Sequence, residues 1–138
     1  MSEAARGGRC HCGAVRFTVR LAEGLAAPRR CNCSYCRMRG SVVVSALAED
    51  LKITAGEDLL SLYRFNTMQA EHRFCSRCGI HVFHRRRSNP AQVSINVACL
   101  AGVSPFDFEE VPVFDGVVHP NDRTGGHRIA GRLTYWAE

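Results

Sequence analysis

The chain predicts a mainly β, single-domain fold, and three features carry that expectation. Short apolar alternations are separated by turn residues, the middle third is rich in β-branched runs, and most of the cysteines fall in C-x-C or C-x-x-C pairs. With 138 residues and 46% hydrophobic content the chain can bury one core without obligatory disulfides. No heptad, repeat or linker-like tract divides residues 1–138.

The elements follow in order. From Gly13 to Leu21, Val15, Phe17, Val19 and Leu21 alternate with Arg16, Thr18 and Arg20, a half-buried strand entered directly from Cys10-His11-Cys12. Gly24 to Pro28 is a breaker-rich connection, and Arg29-Arg30 lead into Cys31-Asn32-Cys33-Ser34-Tyr35-Cys36. That cluster reads as a loop opening a short helical turn over Ser34 to Met38. Ser41 to Leu47 and Leu51 to Thr54 read as two strands, and Leu60, Leu62, Tyr63 and Phe65 mark another. Strands at Glu71 to Phe74 and Ile80 to Arg85 flank Cys75-Ser76-Arg77-Cys78-Gly79, the layout of a metal knuckle. Gln92 to Ala98 alternates Val93, Ile95 and Val97. From Val103 onward Pro105, Pro112, Asp115-Gly116, Pro120 and Gly125-Gly126 loosen the pattern, and residues 116–138 are expected to wrap the sheet as a tail.

Composition narrows the function classes. Met1 to Gly8 contains no apolar run of signal-peptide length, and no stretch reaches the roughly 18 apolar residues of a membrane helix, so a soluble cytoplasmic protein is expected. In a reducing compartment closely spaced cysteines point to metal or redox chemistry before disulfides. The formal charge of +5 suggests an anionic partner, but seven metal-bound thiolates with two Zn²⁺ would lower it to about +2, so a nucleic-acid partner is not expected.

Cysteine arithmetic then divides the clusters. Cys10 and Cys12 are too few to close a tetrahedral site, as are Cys75 and Cys78, but together they supply four thiolates, the ligand count of a structural zinc. Gly13 and Gly79 directly follow each pair, where a missing Cβ lets backbone N–H groups turn towards sulfur. The same residues could be buried small side chains or a redox C-x-x-C, although the βαβ context of the latter is absent. Cys31, Cys33 and Cys36 offer three thiolates, which leave Zn²⁺ one position for an external thiol; alternatively Cys99, His11, His72, His81 or His84 supplies a fourth ligand. Cys99, with no partner at ligand spacing, reads as a buried free thiol. His81 and His84 are three residues apart, which on a regular strand sends them to opposite faces and argues against joint ligation. Arg85-Arg86-Arg87 reads as a solvated turn or an anchor for an anion.

Three motifs in order carry a family resemblance: Gly8-x-Cys10-x-Cys12-Gly13-Ala14-Val15, Cys31-x-Cys33-Ser34-x-Cys36-Arg37, and Phe74-Cys75-x-x-Cys78-Gly79. Together with Leu60 to Thr67 and Val93 to Leu100, they resemble the glutathione-dependent formaldehyde-activating enzymes, a family that includes centromere protein V, over a core of about residues 8–115. The resemblance implies an Mss4-like antiparallel β fold, a structural zinc on Cys10, Cys12, Cys75 and Cys78, and a catalytic zinc on Cys31, Cys33 and Cys36. It implies glutathione as co-substrate and formaldehyde as the small aldehyde, joined as S-hydroxymethylglutathione in a carbon–sulfur lyase reaction. Arg37, Arg64 and Asn66, with Arg39, lie near the motifs and are candidates for holding glutathione. The alternative is a non-enzymatic zinc-binding module for a macromolecular partner.

Overall fold

A computed structural model describes residues 4–138. In chain order its strands are β1 (Arg6–Arg9), β2 (Arg16–Leu21), β3 (Arg30–Cys31), β4 (Val43–Ala55), β5 (Leu60–Tyr63), β6 (Glu71–Cys75), β7 (His81–Arg85), β8 (Gln92–Asn96), β9 (Glu110–Phe114) and β10 (Ile129–Thr134). The one α-helix among the described residues, α1 (Ser34–Arg39), lies between β3 and β4. Seven strands form an antiparallel sheet in the order β1-β2-β4-β8-β7-β6-β5. A second sheet has the order β10-β9-β3, with β3 parallel to β9. Among the described residues no helix is long and apolar enough to cross a membrane.

The alternation of β2 buries Phe17, Val19 and Leu21 to 2% exposure or less, against Val44, Ala46, Val93 and Ile95 of the next two strands inward. Phe17 also fixes the approach of β1, because a Cβ at Gly8 would collide with its ring. Ser41–Leu47 and Leu51–Thr54, expected as two strands, are halves of the single strand β4. Ala48-Glu49-Asp50 is polar but contains no Gly or Pro, so the chain bends there without breaking. Val43–Leu47 pair with β8, Leu51–Ala55 pair with β2, and the β2 register shifts across the bend.

A second irregularity positions the site. Arg73 pairs with Phe83 and Phe74 with His81, so Val82 is an extra residue in β7 opposite β6. The bulge interrupts the two-residue alternation, and His81 and His84 are both buried on one side together with His72 of β6. The expectation that spacing sends these two histidines to opposite faces is thereby corrected. Within residues 116–138, β10 pairs antiparallel with β9, and β9 lies beside β3 at the entrance to the central cysteine loop.

Candidate metal centres

Cys10, Cys12, Cys75 and Cys78 bring their sulfurs within 4.8 Å of one another from chain segments more than sixty residues apart. The two turns that present them have the same construction. Cys10 N–H donates to Val15 O and Gly13 N–H to Cys10 O; Cys75 N–H donates to Ile80 O and Gly79 N–H to Cys75 O. Each turn closes only because its glycine takes φ +78°, a left-handed conformation costly for any residue with a Cβ. Val15 N–H points at the Cys10 sulfur at 3.3 Å. Against desolvation, backbone N–H groups and the neighbouring sulfurs bring the Cys78 thiol down to about 6. Four clustered sulfurs, one already inclined to ionise near neutral pH, match the donor set of a tetrahedral zinc site.

Cys31, Cys33 and Cys36 form a second group within the same 4.8 Å limit. Cys31 ends β3, Cys33 caps the N-terminus of α1, and Cys36 lies buried within the helix. Local N–H groups serve the sulfurs here: Cys33 N–H donates to the Cys31 sulfur at 3.4 Å and Cys36 N–H to the Cys33 sulfur at 3.3 Å. Contacts from Cys31 and Cys36 hold Cys33 far below the ordinary thiol range, while Cys31 and Cys33 push Cys36 far above it. Three sulfurs this close share protons unevenly, a conflict that a divalent cation resolves by ionising all three. The wall opposite is equally tight: a Cβ on Gly116 would collide with the Cys31 sulfur. Gly116 itself is pinned by its N–H to Asn32 Oδ1 at 2.7 Å. Cradle and donor set fit a small metal ion.

These three cysteines line a cavity of about 220 Å³ that also contains Arg29, Arg30, Arg39, Arg86 and Arg87. Arg87 is engaged by Asp122 through two hydrogen bonds, and Arg29 donates to Ser45 and Ser94. Among the described residues no carboxylate pairs with Arg29, Arg30, Arg39 or Arg86, so the cavity is electropositive. Of the sequence candidates for holding the substrate, Asn66 and Arg39 line this cavity. Arg37 and Arg64 do not: Arg37 is exposed on the last turn of α1, and Arg64 pairs with Glu71 at 2.7 Å. Arg86 and Arg87, read from the sequence as a solvated turn or an anion anchor, also line this cavity, as do Arg29 and Arg30; their convergence with Gly116 on the cysteine loop was not legible because the segments share no motif.

None of the five suggested fourth ligands joins the three-cysteine group. His72, His81 and His84 form a third group, with one ring nitrogen from each within 4.8 Å of the others. Each ring keeps one buried nitrogen without a hydrogen-bond partner: His72 Nε2, His81 Nε2 and His84 Nδ1. Burial lowers all three, His72 to about 4, so the cluster is neutral at pH 7. Cys99 is a buried thiol against His81 O, raised to about 12 by desolvation, and His11 is exposed beside Cys10.

The chain is similar in sequence and in fold to known proteins. A family model described as glutathione-dependent formaldehyde-activating enzyme matches residues 5–111. A Halomonas elongata protein provisionally named as such an enzyme is 36% identical over 79 residues, 51% of this chain and 50% of the relative. A Pyrenophora teres f. teres protein with the same provisional name is 31% identical over 86 residues, 58% of this chain and 45% of the relative. The chain thus spans about half the length of these curated relatives. A crystal structure of a Rhodobacter sphaeroides protein has a TM-score of 0.76 and 50% identity, covering 78% of this chain and 98% of that one.

Proposed function

The chain belongs to the glutathione-dependent formaldehyde-activating enzyme family, and from that premise we propose that it holds glutathione at Cys31, Cys33 and Cys36 and adds the glutathione sulfur to formaldehyde. The observation that carries this reading is a group of three cysteines, with no fourth protein ligand among the described residues, at an arginine-lined cavity. Zinc held by these three sulfurs would accept one further sulfur and make the arriving thiol acidic near neutral pH. Zinc on Cys10, Cys12, Cys75 and Cys78 would be structural.

In the overall reaction a carbon–sulfur bond forms, the carbonyl π pair moves to oxygen, and the proton lost by the thiol is recovered by that oxygen as the product hydroxyl. The reverse cleavage is a carbon–sulfur lyase reaction. Glutathione carries two carboxylates, and Arg30 and Arg86 are cavity guanidinium groups with no carboxylate partner among the described residues, suited to bind them. Asn66, held at φ +55°, adds a neutral amide to the same wall. His72 and His84 give the cavity a buried wall that limits water there.

Cobalt substitution tests the proposal. Glutathione added to protein carrying two Co²⁺ should increase the cobalt–thiolate absorption in proportion to one new sulfur ligand, and the change should vanish in Cys33→Ser. Formaldehyde should then yield S-hydroxymethylglutathione faster than the uncatalysed mixture. A cobalt spectrum indifferent to glutathione at millimolar concentration would overturn the reading.

A further inference from the structure

The three buried imidazoles invite assignment as a third metal site, but Arg39 rules against it. Arg39 Nη1 lies 2.8 Å from His72 Nδ1. A guanidinium has no acceptor, so His72 Nδ1 accepts this bond and its proton sits on Nε2, the nitrogen a metal would need. The same side chain would place a fixed positive charge beside any cation in the cluster. Its other branch, Nη2, donates to the Cys36 sulfur at 3.3 Å, and its guanidinium carbon lies 5.1 Å from the Tyr35 ring centre. Arg39 follows Cys36 by one helical turn, so α1 presents both on one side. The histidines are packed as rings: His72 contacts Tyr35 at 4.5 Å and His84 at 5.0 Å, and His84 contacts His81 at 5.5 Å.

We infer that Arg39 is a positioning residue of the three-cysteine site, clamped by a neutral platform of His72, His84 and His81 so that its guanidinium stays on the Cys36 sulfur. The inference rests on the reading that this site holds a metal and takes an external thiol. Three thiolates on a divalent ion carry one net negative charge, and a fourth thiolate raises it to two. Arg39 has no carboxylate partner among the described residues, so its charge is uncommitted and offsets that accumulation. The device favours an anionic sulfur over a neutral ligand as the fourth partner.

Cobalt-substituted Arg39→Met, Arg39→Lys and His72→Phe variants test this, with absorption from the four-cysteine site as the internal check that each has folded. Before any thiol is added, Arg39→Met should move the sulfur-to-cobalt charge-transfer band of the three-cysteine site to lower energy, because a hydrogen bond to Cys36 is gone. Its dissociation constant for glutathione should rise by roughly tenfold or more, the scale of a charge-assisted hydrogen bond. Arg39→Lys should recover part of that loss, and His72→Phe should weaken thiol binding in the same direction while keeping the ring stack. Imidazole, a neutral competitor, should bind Arg39→Met as well as the parent. Total metal should be two equivalents per chain.

An unshifted band in Arg39→Met overturns the inference whether or not thiol binds. If the parent binds glutathione and Arg39→Met binds it equally well, Arg39 is not a positioning residue. If the parent ignores glutathione, the proposed function fails, and the band shift alone then decides the role of Arg39. A third metal equivalent that disappears in His84→Gln would overturn the assignment of the histidines as a platform.

Discussion

Gly116→Ala is the sharpest available probe of the three-cysteine site because it changes no ligand. A Cβ at residue 116 would overlap the Cys31 sulfur and stand 2.9 Å from Cys33 Cβ and 3.1 Å from Cys33 N. Non-bonded carbon atoms rest at roughly 3.5–4.0 Å, so the cysteine loop or the wall must retreat by at least half an ångström or so. The wall is poorly placed to do so. Gly116 N–H is bonded to Asn32, Asp115 N–H to Arg128 O, and Asn32 N–H to Phe114 O, which ties both sides of the contact to the parallel pairing of β3 and β9. Displacement therefore falls on the sulfurs, and metal–ligand distances tolerate only about 0.2 Å. Overpacking of this kind costs about 1–3 kcal/mol, which corresponds to a metal affinity lower by roughly 5- to 150-fold. Competition with a graded series of chelators, followed by metal analysis, should show one equivalent released early from Gly116→Ala and the second retained as in the parent. Two equivalents held with parental affinity would refute the close cradle and the placement of the tail against the cysteine loop.

Cys33→Ser and Cys75→Ser should differ in kind: the first should lose one metal equivalent with its far-ultraviolet circular dichroism preserved, while the second should lose cooperative thermal unfolding, since Cys75 is fully buried where both turns meet. The opposite pattern would exchange the roles of the two centres. His72 is depressed by desolvation and by Arg39 from 6.5 to about 4, so the stability it contributes is present above pH 6.5 and is lost as pH falls through about 4. In His72→Phe the fall in denaturation midpoint between pH 6.5 and 4 should be shallower than in the parent by the equivalent of about 3 kcal/mol; parallel pH profiles would count against a neutral buried imidazole. Gly79→Ala meets no atom within 4 Å, so its cost is the left-handed backbone alone, about 1–2 kcal/mol in chemical denaturation. A neutral result there would mean that the turn relaxes to another conformation.

The legibility of this chain divides along the line between local and long-range signals. The alternation of β2 and β8 announces a half-buried sheet, and the cysteine spacings announce two groups, because each rests on neighbours a few residues apart. The continuity of β4 was hidden by Ala48-Glu49-Asp50, which resembles a gap only when polarity is read without asking for a breaker. The convergence of His81 and His84 was hidden by the Val82 bulge, whose register shift exists only in relation to β6. The strand β10 is exposed at every residue and so carries no alternation. The walls of the three-cysteine cavity were least accessible: the bond from Gly116 to Asn32 spans 84 residues, and neither residue type suggests a site.

That division bears on what a family name can transfer. The matched region, residues 5–111, contains every cysteine of both candidate centres and the strands that align them. The cavity wall formed by Phe114, Asp115, Gly116, Val117, His119, Pro120, Asp122 and His127 lies beyond it. Metal-ligand chemistry and the closing wall therefore sit in different parts of the chain. The wall is also held by its own interactions: Asp115 accepts from Val117 N–H and pairs with Arg123 at 3.1 Å, and Asp122 reaches back to Arg87, just beyond β7. On the proposed function, substitutions in this wall at positions other than Gly116 reshape access to the sulfurs without touching a candidate ligand, so the choice of electrophile can change independently of the metal centres. On the proposed function, replacing Val117 and His119 together by alanine should alter the aldehyde preference and leave metal content at two equivalents. An unchanged preference would place substrate choice within the matched core, at Asn66 or the arginines.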